Sequence, residues 1–321
     1  MQRRRFIQLL ACTATGLSLG QLARANRASR SLHAVHWNGY TLGAQGRFTL
    51  YSDDRRAAQT ALQDCFAEIR RLESLFSLYD HHSELARLNR DGHLDAPAAD
   101  WLPLLAAADR AHKLCGGRFD PTVQPVWQAY AQHFQAHPKA TEGPSKSTLV
   151  EARARTGWAQ LQYSADSIRF KRSGMQLTLN GIAQGYITDR ISEILKRAGY
   201  QHVLVELGET RALGSHPEQR PWTIGIQDAQ QPNQLHELAE LDDCALATSG
   251  SYGSRFSQDG RYHHLIDPQS GRPTTRWKSL SVIAPTATEA DALSTGLSFA
   301  SAAQIRQLEH ANPELRVLKQ G

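Results

Sequence analysis

Residues 280–296 read LSVIAPTATEADALSTG, and this stretch contains both kinds of secondary structure that the fold requires. Its first five residues are mostly apolar and predict a buried strand. Pro285 then interrupts the pattern, and Thr286 stands three residues before Glu289, which is the spacing of a helix capping box. The stretch therefore predicts a strand that leads directly into a helix over residues 289–300.

The same mixture of strands and helices extends over the rest of the chain. Strand patterns occupy residues 39–52, 157–170, 175–179, 202–207, 222–227 and 244–248, and helix patterns occupy residues 53–79, 98–114 and 181–198. Residues 133–147 are polar, contain two prolines and predict an exposed loop. Because several strands follow one another without an intervening helix, this order predicts an α+β fold with mixed, largely antiparallel sheets flanked by helices, rather than a doubly wound parallel sheet.

The charge of the chain is concentrated at its beginning. The net charge is +5, but residues 1–25 contribute four arginines and no acidic residue, so the remainder carries only +1. This near-neutrality removes the main electrostatic support for binding nucleic acid. After this segment come Cys65, Cys115 and Cys244, and an odd number without a Cys-x-x-Cys pair predicts buried, reduced residues.

The first 25 residues have the order of an export signal. A basic start, RRRFIQ at residues 3–8, precedes a mildly apolar run over residues 9–22, and ARA at residues 23–25 provides small residues for cleavage. The order Arg-Arg-x-Phe-Ile-Gln resembles the twin-arginine signal, which exports folded proteins. We therefore expect a periplasmic protein with a signal peptide, residues 1–25, and one domain, residues 26–321.

Three polar clusters in the last third of the chain each stand at the edge of an apolar run. They are TSGSY at residues 248–252, HHLIDPQSGRP at residues 263–273 and EADALSTG at residues 289–296, and we expect them to meet in one site. In the third cluster, Asp291 and Thr295 are four residues apart and share one helix face. A carboxylate with a hydroxyl suits Mg²⁺, although an ordinary polar helix face is the alternative.

The second cluster contains two histidines that could act as a general base or as metal ligands. If His263 and His264 belong to a strand, their rings point to opposite faces, so only one can face a given site. This argues against a metal site built from both. A hydrogen-bonded histidine without a catalytic role remains the alternative.

Two further segments could contact a ligand. In LTLNGIAQGY, residues 177–186, a strand meets a helix at Asn180-Gly181, and backbone N–H groups at a helix start can bind phosphate. An ordinary strand-to-helix corner is the alternative. In GGRFDPTV, residues 116–123, Asp120 could bind a polar ligand group or simply cap its own turn.

Taken in order, these segments resemble the FAD:protein FMN transferase (ApbE) family. The matching stretches are SLY at residues 77–79, SELARLN at 83–89, GRFDPTV at 117–123, GIAQGY at 181–186 with Asp189, VELG at 205–208, TSG at 248–250, HLIDP at 264–268 with Gly271 and Pro273, and ADALST at 290–295. The similarity extends from about residue 43 to residue 299. Several motifs in the right order are more specific than any one of them.

The resemblance implies a single α+β unit whose core is related to the T-fold. It implies that FAD is the substrate, that Mg²⁺ binds at its pyrophosphate, and that the FMN half moves to a Thr or Ser hydroxyl while AMP leaves. The partner would be an exported or membrane-associated flavoprotein, such as a membrane respiratory subunit.

The resemblance also implies roles for individual residues. The carbonyl of Gly181, with Asp291 and Thr295, would hold Mg²⁺, and His264 would be the base for the acceptor hydroxyl. The positions that would contact FAD are Tyr79 at the flavin or adenine rings, Asp120 at a polar edge, Thr178, Gln184, and the pair Leu265 and Ile266.

Three places depart from the family pattern. The family usually has Asp where Thr178 stands and often has Lys where Gln184 stands. Gly-Asp usually follows Leu207-Gly208, where this chain has Glu209-Thr210. Because losing an acid and a base from one pocket could weaken FAD binding, the alternative function is a non-catalytic FAD-binding chaperone or flavin donor for a respiratory complex.

Overall fold

The structure, a computed structural model, describes residues 32–41, 44–231 and 233–321, so the predicted signal lies outside the described residues. The strands are β1 (His33–Thr41), β2 (Ala44–Ser52), β3 (His93–Asp95), β4 (Leu161–Tyr163), β5 (Ser167–Phe170), β6 (Val203–Glu206), β7 (Thr210–Leu213), β8 (Trp222–Gln227), β9 (Leu235–Leu241), β10 (Ala245–Gly250), β11 (Ile266–Asp267), β12 (Arg272–Pro273), β13 (Ser279–Ala284) and β14 (Arg316–Gln320). The helices are α1 (Arg55–Phe76), α2 (Glu84–Asp91), α3 (Trp101–Leu114), α4 (Gln124–Ala136), α5 (Lys146–Arg153), α6 (Ala183–Arg197), α7 (Ala287–Leu297) and α8 (Ala302–Ala311). No helix within the described ranges has the length and apolar character to cross a membrane.

Seven strands form one antiparallel sheet at the centre of the molecule. Their order is β1-β2-β6-β7-β10-β13-β14, and each neighbouring pair is antiparallel. Smaller antiparallel sheets are formed by β3-β5-β4, by β8-β9 and by β11-β12. The predicted α+β class, with largely antiparallel sheets flanked by helices, is confirmed.

Helices cover one face of the large sheet. α1, α6 and α7 pack against the strands, and α3 packs against α7. Leu50 and Val205 of the sheet, Leu62 of α1, Ile191 of α6 and Leu293 of α7 are at most 4% exposed and belong to one core cluster. One side of α1 is thus apolar and buried against this core.

The β8-β9 hairpin covers the opposite face of the large sheet. Leu204, Ala212 and Ile283 of the sheet form a second core cluster with Trp222 and Ile224 of the hairpin. Central strands are therefore buried on both faces, which explains why their sequences are almost continuously apolar.

A third apolar cluster lies beneath the segment that carries the two histidines. Tyr130 and Phe134 of α4 pack with Ala152 of α5 and with Ile266. The Tyr130 hydroxyl also donates a hydrogen bond to the Gly271 carbonyl (3.0 Å). α4 and α5 thereby support one wall of the cleft described below.

The longest predicted helices are present with shifted ends. Those over residues 53–79, 98–114, 181–198 and 289–300 correspond to α1, α3, α6 and α7. Asp54 caps α1, and Thr286 caps α7 by accepting a hydrogen bond from the Glu289 N–H (3.2 Å). Gly199 follows the end of α6 with φ +89°, a left-handed conformation that glycine adopts without strain.

The strand predicted over residues 175–179 is wrong. Met175, Leu177 and Leu179 are buried alternately, so the segment is extended, but among the described residues it pairs with no strand. Instead, the Asn89 side chain accepts a hydrogen bond from the Leu177 N–H (2.7 Å) and donates one to the Leu177 carbonyl (2.8 Å). A side-chain amide thus takes the place of a neighbouring strand.

The exposed loop predicted over residues 133–147 is wrong at both ends. α4 continues to Ala136 because Phe134 is buried in the third cluster. α5 begins at Lys146, where Ser145 accepts a hydrogen bond from the Thr148 N–H (3.1 Å). The sequence also predicts no helix at α2, α4, α5 or α8 and misses several strands, most of them short, because packing rather than a long periodic pattern stabilises such elements.

The three cysteines of the described chain are free. Cys65 and Cys115 are buried, and Cys244 is half-buried. Burial raises the pKa of the Cys65 and Cys115 thiols to about 12. Both therefore behave as small apolar core residues, as predicted.

Candidate functional site

The three polar clusters of the last third meet at one cleft beside the start of α6. The cleft is open to solvent, and the empty space within it, solvent included, is about 1120 Å³. The polar lining residues are Arg118, Asp120, Thr178, Asn180, Gln184, Glu209, Thr248, Ser249, Ser254, His264, Asp291 and Thr295, and the apolar walls include Trp127, Leu265, Ile266 and Phe299.

The first turns of α6 and α7 are joined by reciprocal hydrogen bonds. Asp189 of α6 accepts from the N–H groups of Ala287 and Thr288 at the start of α7 (both 2.8 Å). In return, Asp291 of α7 accepts from the Gly185 N–H in the first turn of α6 (3.1 Å). Since the helix dipole favours carboxylates at these positions, the pair of helices fixes Asp291, only 4% exposed, at the wall of the cleft.

Close packing brings further oxygen atoms beside this wall. A Cβ atom at Gly181 would lie 2.8 Å from Thr295 Oγ1, so the lack of a side chain lets the backbone approach that hydroxyl. Ser249 Oγ lies 3.2 Å from Thr295 Oγ1 and 2.8 Å from Ser294 Oγ. The structure therefore brings together Gly181, Asp291 and Thr295, the residues predicted to hold a metal ion.

A second carboxylate, Glu209, lines the same cleft. It is 7% exposed, and its Oε2 atom has no hydrogen-bond partner. Burial, and then the nearby Asp291 carboxylate, raise the pKa of Glu209 well above its ordinary value. Burial also raises the pKa of Asp291 to about 7, although the Gly185 N–H opposes that shift. Both carboxylates are therefore costly to ionise without a compensating positive charge.

Of the two histidines, His264 lines the cleft. Its Nδ1 lies 3.2 Å from both the backbone nitrogen and the carbonyl oxygen of Ser254. In a neutral imidazole, the ring nitrogen that carries no proton can act as a base. His263 is instead buried outside the cleft lining, with Nε2 2.8 Å from the Thr274 carbonyl. The chemistry available to His264 is thus that of a general base.

Asp120 lines the cleft, but its oxygen atoms also hold the local turn together. Oδ1 accepts from the N–H (2.8 Å) and the hydroxyl (2.6 Å) of Thr122, and Oδ2 accepts from the Trp158 N–H (3.1 Å). Burial raises the pKa of Asp120, and these hydrogen bonds oppose the rise. The structure thus shows the capping role that the sequence left open as the alternative to ligand binding.

Four more residues predicted to contact FAD line the cleft, namely Thr178, Gln184, Leu265 and Ile266. Leu265 and Ile266 are buried and provide an apolar wall. Gln184 packs over Gly208, where a Cβ atom would lie 2.8 Å from its Nε2. Because Gly208 has φ +99°, any other residue there would be strained and would also displace Gln184.

Tyr79 lies apart from these residues. It is 73% exposed and lines a neighbouring cleft, which shares Trp127 and Asn180 with the main one. Tyr79 follows the end of α1, in the turn before α2. The structure therefore does not bring it together with the other predicted site residues, and only a ligand extending past Trp127 and Asn180 would reach it.

Comparison with known proteins identifies the family that has this arrangement. The model of the ApbE family matches residues 42–318, which include every lining residue of the cleft. The chain belongs to the ApbE family. Among curated relatives, the FAD:protein FMN transferase of Treponema pallidum is 32% identical over 314 residues, covering 90% of this chain and 83% of the relative. That of Vibrio cholerae is 29% identical over 315 residues, covering 94% and 93%.

Solved structures of ApbE proteins have the same fold. The ApbE protein from Thermotoga maritima matches with a TM-score of 0.79 at 26% identity, covering 89% of this chain and 94% of that one. The flavin transferase ApbE from Vibrio cholerae matches with a TM-score of 0.76 at 27% identity, covering 90% and 94%. The resemblance inferred from the motifs is confirmed over most of the chain.

The sequence analysis assigns no role to several residues that line this cleft. Arg118, Asn180 and Ser249 belong to motifs that the sequence analysis describes, so these motifs could have indicated that the three residues line the site. Trp127 has no such signal, because a lone tryptophan on a helix is typical of a core residue. Glu209 stands out only as a departure from the family pattern, and its position in the cleft becomes visible in the structure.

The oxygen donors in the cleft suit a divalent cation. Within the part of the chain that the structure describes, no group of three or more His, Cys, Asp or Glu side chains could hold a metal. The donors here are of another kind: the carboxylates of Asp291 and Glu209, the Thr295 hydroxyl and the Gly181 backbone. Hard oxygen donors that leave room for water and phosphate are typical of Mg²⁺ sites, and the unpartnered Glu209 Oε2 favours a cation at this place.

Proposed function

We propose that this protein is a Mg²⁺-dependent FAD:protein FMN transferase, which moves FMN from FAD to a Thr or Ser hydroxyl of a target flavoprotein and releases AMP. The observation that carries the proposal is the meeting, in one cleft, of His264 with the Asp291–Thr295 oxygen pair. Such a cleft can both accept a proton and neutralise phosphate charge. The names of the relatives, FAD:protein FMN transferase, support the same activity.

In this proposal Asp291, Thr295 and the Gly181 carbonyl hold Mg²⁺, whose charge would neutralise the pyrophosphate of FAD. The chain contributes by fixing these oxygen atoms in advance. Asp291 accepts the Gly185 N–H, and Thr295 lies within hydrogen-bond distance of Ser249. Oxygen atoms held in this way need little reorganisation when the charge develops during the reaction.

Other groups in the cleft suit the rest of the FAD molecule. Arg118 provides positive charge, and the N-cap residue of α6, Ile182, makes no side-chain capping bond, so the helix start can attract an anion. Trp127, Leu265 and Ile266 offer apolar surface for the flavin or adenine rings. These contacts would place the diphosphate beside the oxygen pair.

His264 would act on the acceptor. The hydroxyl oxygen forms a bond to the phosphorus of the FMN half, and the bond from this phosphorus to the bridging diphosphate oxygen breaks. AMP leaves with that oxygen, and the hydroxyl proton passes to His264. A neutral imidazole near pH 7 is suited to this transfer.

The test uses the mature protein, FAD, Mg²⁺ and a flavoprotein domain that carries an acceptor Thr. We expect equal amounts of covalent FMN, seen as in-gel fluorescence, and of free AMP, with both lost when EDTA is added or when the acceptor Thr is replaced by Val. Tight FAD binding without AMP release would contradict the proposal and support the non-catalytic flavin donor.

We also propose that the protein acts in the periplasm after export through the twin-arginine route. The order RRRFIQ at residues 3–8 supports this location, and the acceptor would then be an exported or membrane-associated flavoprotein, such as a respiratory subunit. Replacing Arg3 and Arg4 by lysine should retain the protein in the cytoplasm, as measured by cell fractionation. Undiminished periplasmic protein would exclude this route.

A further inference from the structure

Glu209 is a charged side chain of the cleft to which the proposed reaction gives no role. In the described chain, four buried side-chain nitrogen or oxygen atoms have no hydrogen-bond partner: Arg190 Nε, Glu206 Oε2, Glu209 Oε2 and Thr210 Oγ1. Of these four residues, Glu209 alone lines the cleft. Buried polar atoms are almost always paired, so an unpaired one that belongs to a cleft-lining residue is suited to contact a bound ligand.

We propose that Glu209 is a second carboxylate of the cation site, so that Asp291 and Glu209 share one divalent cation. The inference rests on the proposed function, because it concerns the same site. It adds a residue from the turn between β6 and β7 to the predicted donors of α6 and α7.

The charges around the two carboxylates support this assignment. Arg118 lines the same cleft but is in no ion pair with either carboxylate among the described residues, and Arg211, two residues along the chain from Glu209, pairs with Asp243 (3.0 Å). Within the described ranges neither Asp291 nor Glu209 forms an ion pair; each receives one backbone N–H. Two buried carboxylates without a cationic partner are unfavourable, and a bound divalent cation would compensate both.

A direct contact between Glu209 and FAD explains the arrangement less well. A carboxylate near the diphosphate of FAD would repel it, so the charge of Glu209 would oppose binding unless a cation lay between them. The same charge becomes favourable once it contributes to holding that cation. Glu209 is therefore better suited to the metal than to the nucleotide.

The experiment measures Mn²⁺ binding, with Mn²⁺ as a paramagnetic substitute for Mg²⁺. Free Mn²⁺ is quantified by electron paramagnetic resonance during titration of the mature protein, alone and with one equivalent of FAD. We expect Glu209→Gln, which keeps the side-chain shape, to weaken Mn²⁺ binding about tenfold or more. Glu206→Gln is the matched control, because it removes a neighbouring carboxylate whose Oε2 atom is also buried and unpaired but which does not line the cleft, and it should leave Mn²⁺ binding unchanged.

Thermal melting provides a second measurement, and its expected result differs from that of a variant with a damaged fold. Without metal, Glu209→Gln should melt at a higher temperature than the wild type, because it removes a buried charge that lacks a partner. The same variant should lose most of the increase in melting temperature that millimolar Mg²⁺ produces in the wild type. A lower melting temperature together with an unchanged Mg²⁺ response would overturn the inference.

The outcomes also separate this inference from the proposed function. If the wild type transfers FMN but Glu209→Gln binds Mn²⁺ normally, the role of Glu209 is wrong and the transferase proposal stands. The same holds if the variant loses only FAD affinity, since Glu209 would then contact the nucleotide. If Mn²⁺ binding depends on Glu209 but no covalent FMN forms, the transferase proposal fails and the cation site stands.

Discussion

At the scale of single residues, the cleft depends on oxygen and nitrogen atoms that other parts of the chain hold in place. Gly185 orients Asp291, and Ser254 orients the ring of His264. The side chains proposed to react are thus distinguished from other acids and histidines by their hydrogen-bond partners and by their position in the cleft. Two substitutions test these roles separately.

Asp291→Asn should reduce FMN transfer by about 100-fold or more, equivalent to about 3 kcal/mol of transition-state stabilisation. Asparagine keeps the side-chain size and can still accept the Gly185 N–H, so the fold should persist. The rate of AMP release is the measurement. As a control, Asp166→Asn removes an exposed carboxylate between β4 and β5, outside the cleft lining, and should leave transfer unchanged. An unchanged rate in Asp291→Asn would remove this residue from the metal site.

His264→Ala should slow transfer by about 10²- to 10⁴-fold, the usual contribution of a general base. FAD affinity, measured by flavin fluorescence quenching, should be nearly unchanged, because the role proposed for the imidazole concerns the acceptor hydroxyl. His310→Ala is a suitable control, since His310 is exposed on α8 and far outside the cleft lining. A normal transfer rate in His264→Ala would assign the base to another group.

At the scale of secondary-structure elements, the contact between α6 and α7 organises the site. Asp189 caps α7, and Asp291 binds the first turn of α6, so each helix completes the hydrogen bonding of the other. The helices approach so closely that a Cβ atom at Gly185 would lie 2.2 Å from the Ala287 carbonyl oxygen. Glycine is required there by contact with the neighbouring helix.

Gly185→Ala should therefore push α7 away from α6 and lower the free energy of unfolding by about 1–3 kcal/mol, as overpacking usually does. The same movement shifts Asp291, so FMN transfer should fall as well. Urea denaturation followed by circular dichroism measures the first effect. Lys196→Ala, on the exposed side of α6, should change neither property. A Gly185→Ala protein of wild-type stability would show that the two helices can separate at little cost.

At the scale of the whole molecule, the cleft exists only when distant parts of the chain have assembled around the sheet. Its lining residues come from the turn before α4, the start of α6, the turn between β6 and β7, the end of β10, the segment before β11, and α7. Stability of the fold therefore determines whether the site forms. Buried titratable groups such as His263 make that stability depend on pH.

His263 is 2% exposed, and burial lowers the pKa of its imidazole, although the bond to the Thr274 carbonyl opposes the shift and Arg255 adds to it. The unfolded chain therefore binds the proton at this imidazole more readily than the folded protein does. The contribution of neutral His263 to the free energy of unfolding is complete above the pKa of the unfolded chain, about 6.5, and is lost as pH falls through the pKa of the folded protein. The raised pKa values of Asp291 and Glu209 act in the opposite direction between pH 7.5 and pH 5, so the effect of His263 is measured as a difference between two proteins. On going from pH 7.5 to pH 5, the melting temperature of the wild type should change less favourably than that of His263→Gln, which can still donate to Thr274. An equal change in both proteins would exclude His263 as a cause.

The sequence by itself determined the α+β class, the helices α1, α3, α6 and α7, the Thr286 cap of α7 and the family, because periodicity, capping and motif order are properties of neighbouring residues. Only the tertiary structure decided that Tyr79 lines a neighbouring cleft and that Asp120 stabilises its own turn. It also decided that Glu209 lines the same cleft as Asp291. It also decided that residues 175–179 bond to Asn89 rather than to a strand. The physical reason is sequence distance: Asn89 and Leu177 are 88 residues apart, and Gly185 and Asp291 are 106 apart, so these contacts form through global packing and leave no local pattern.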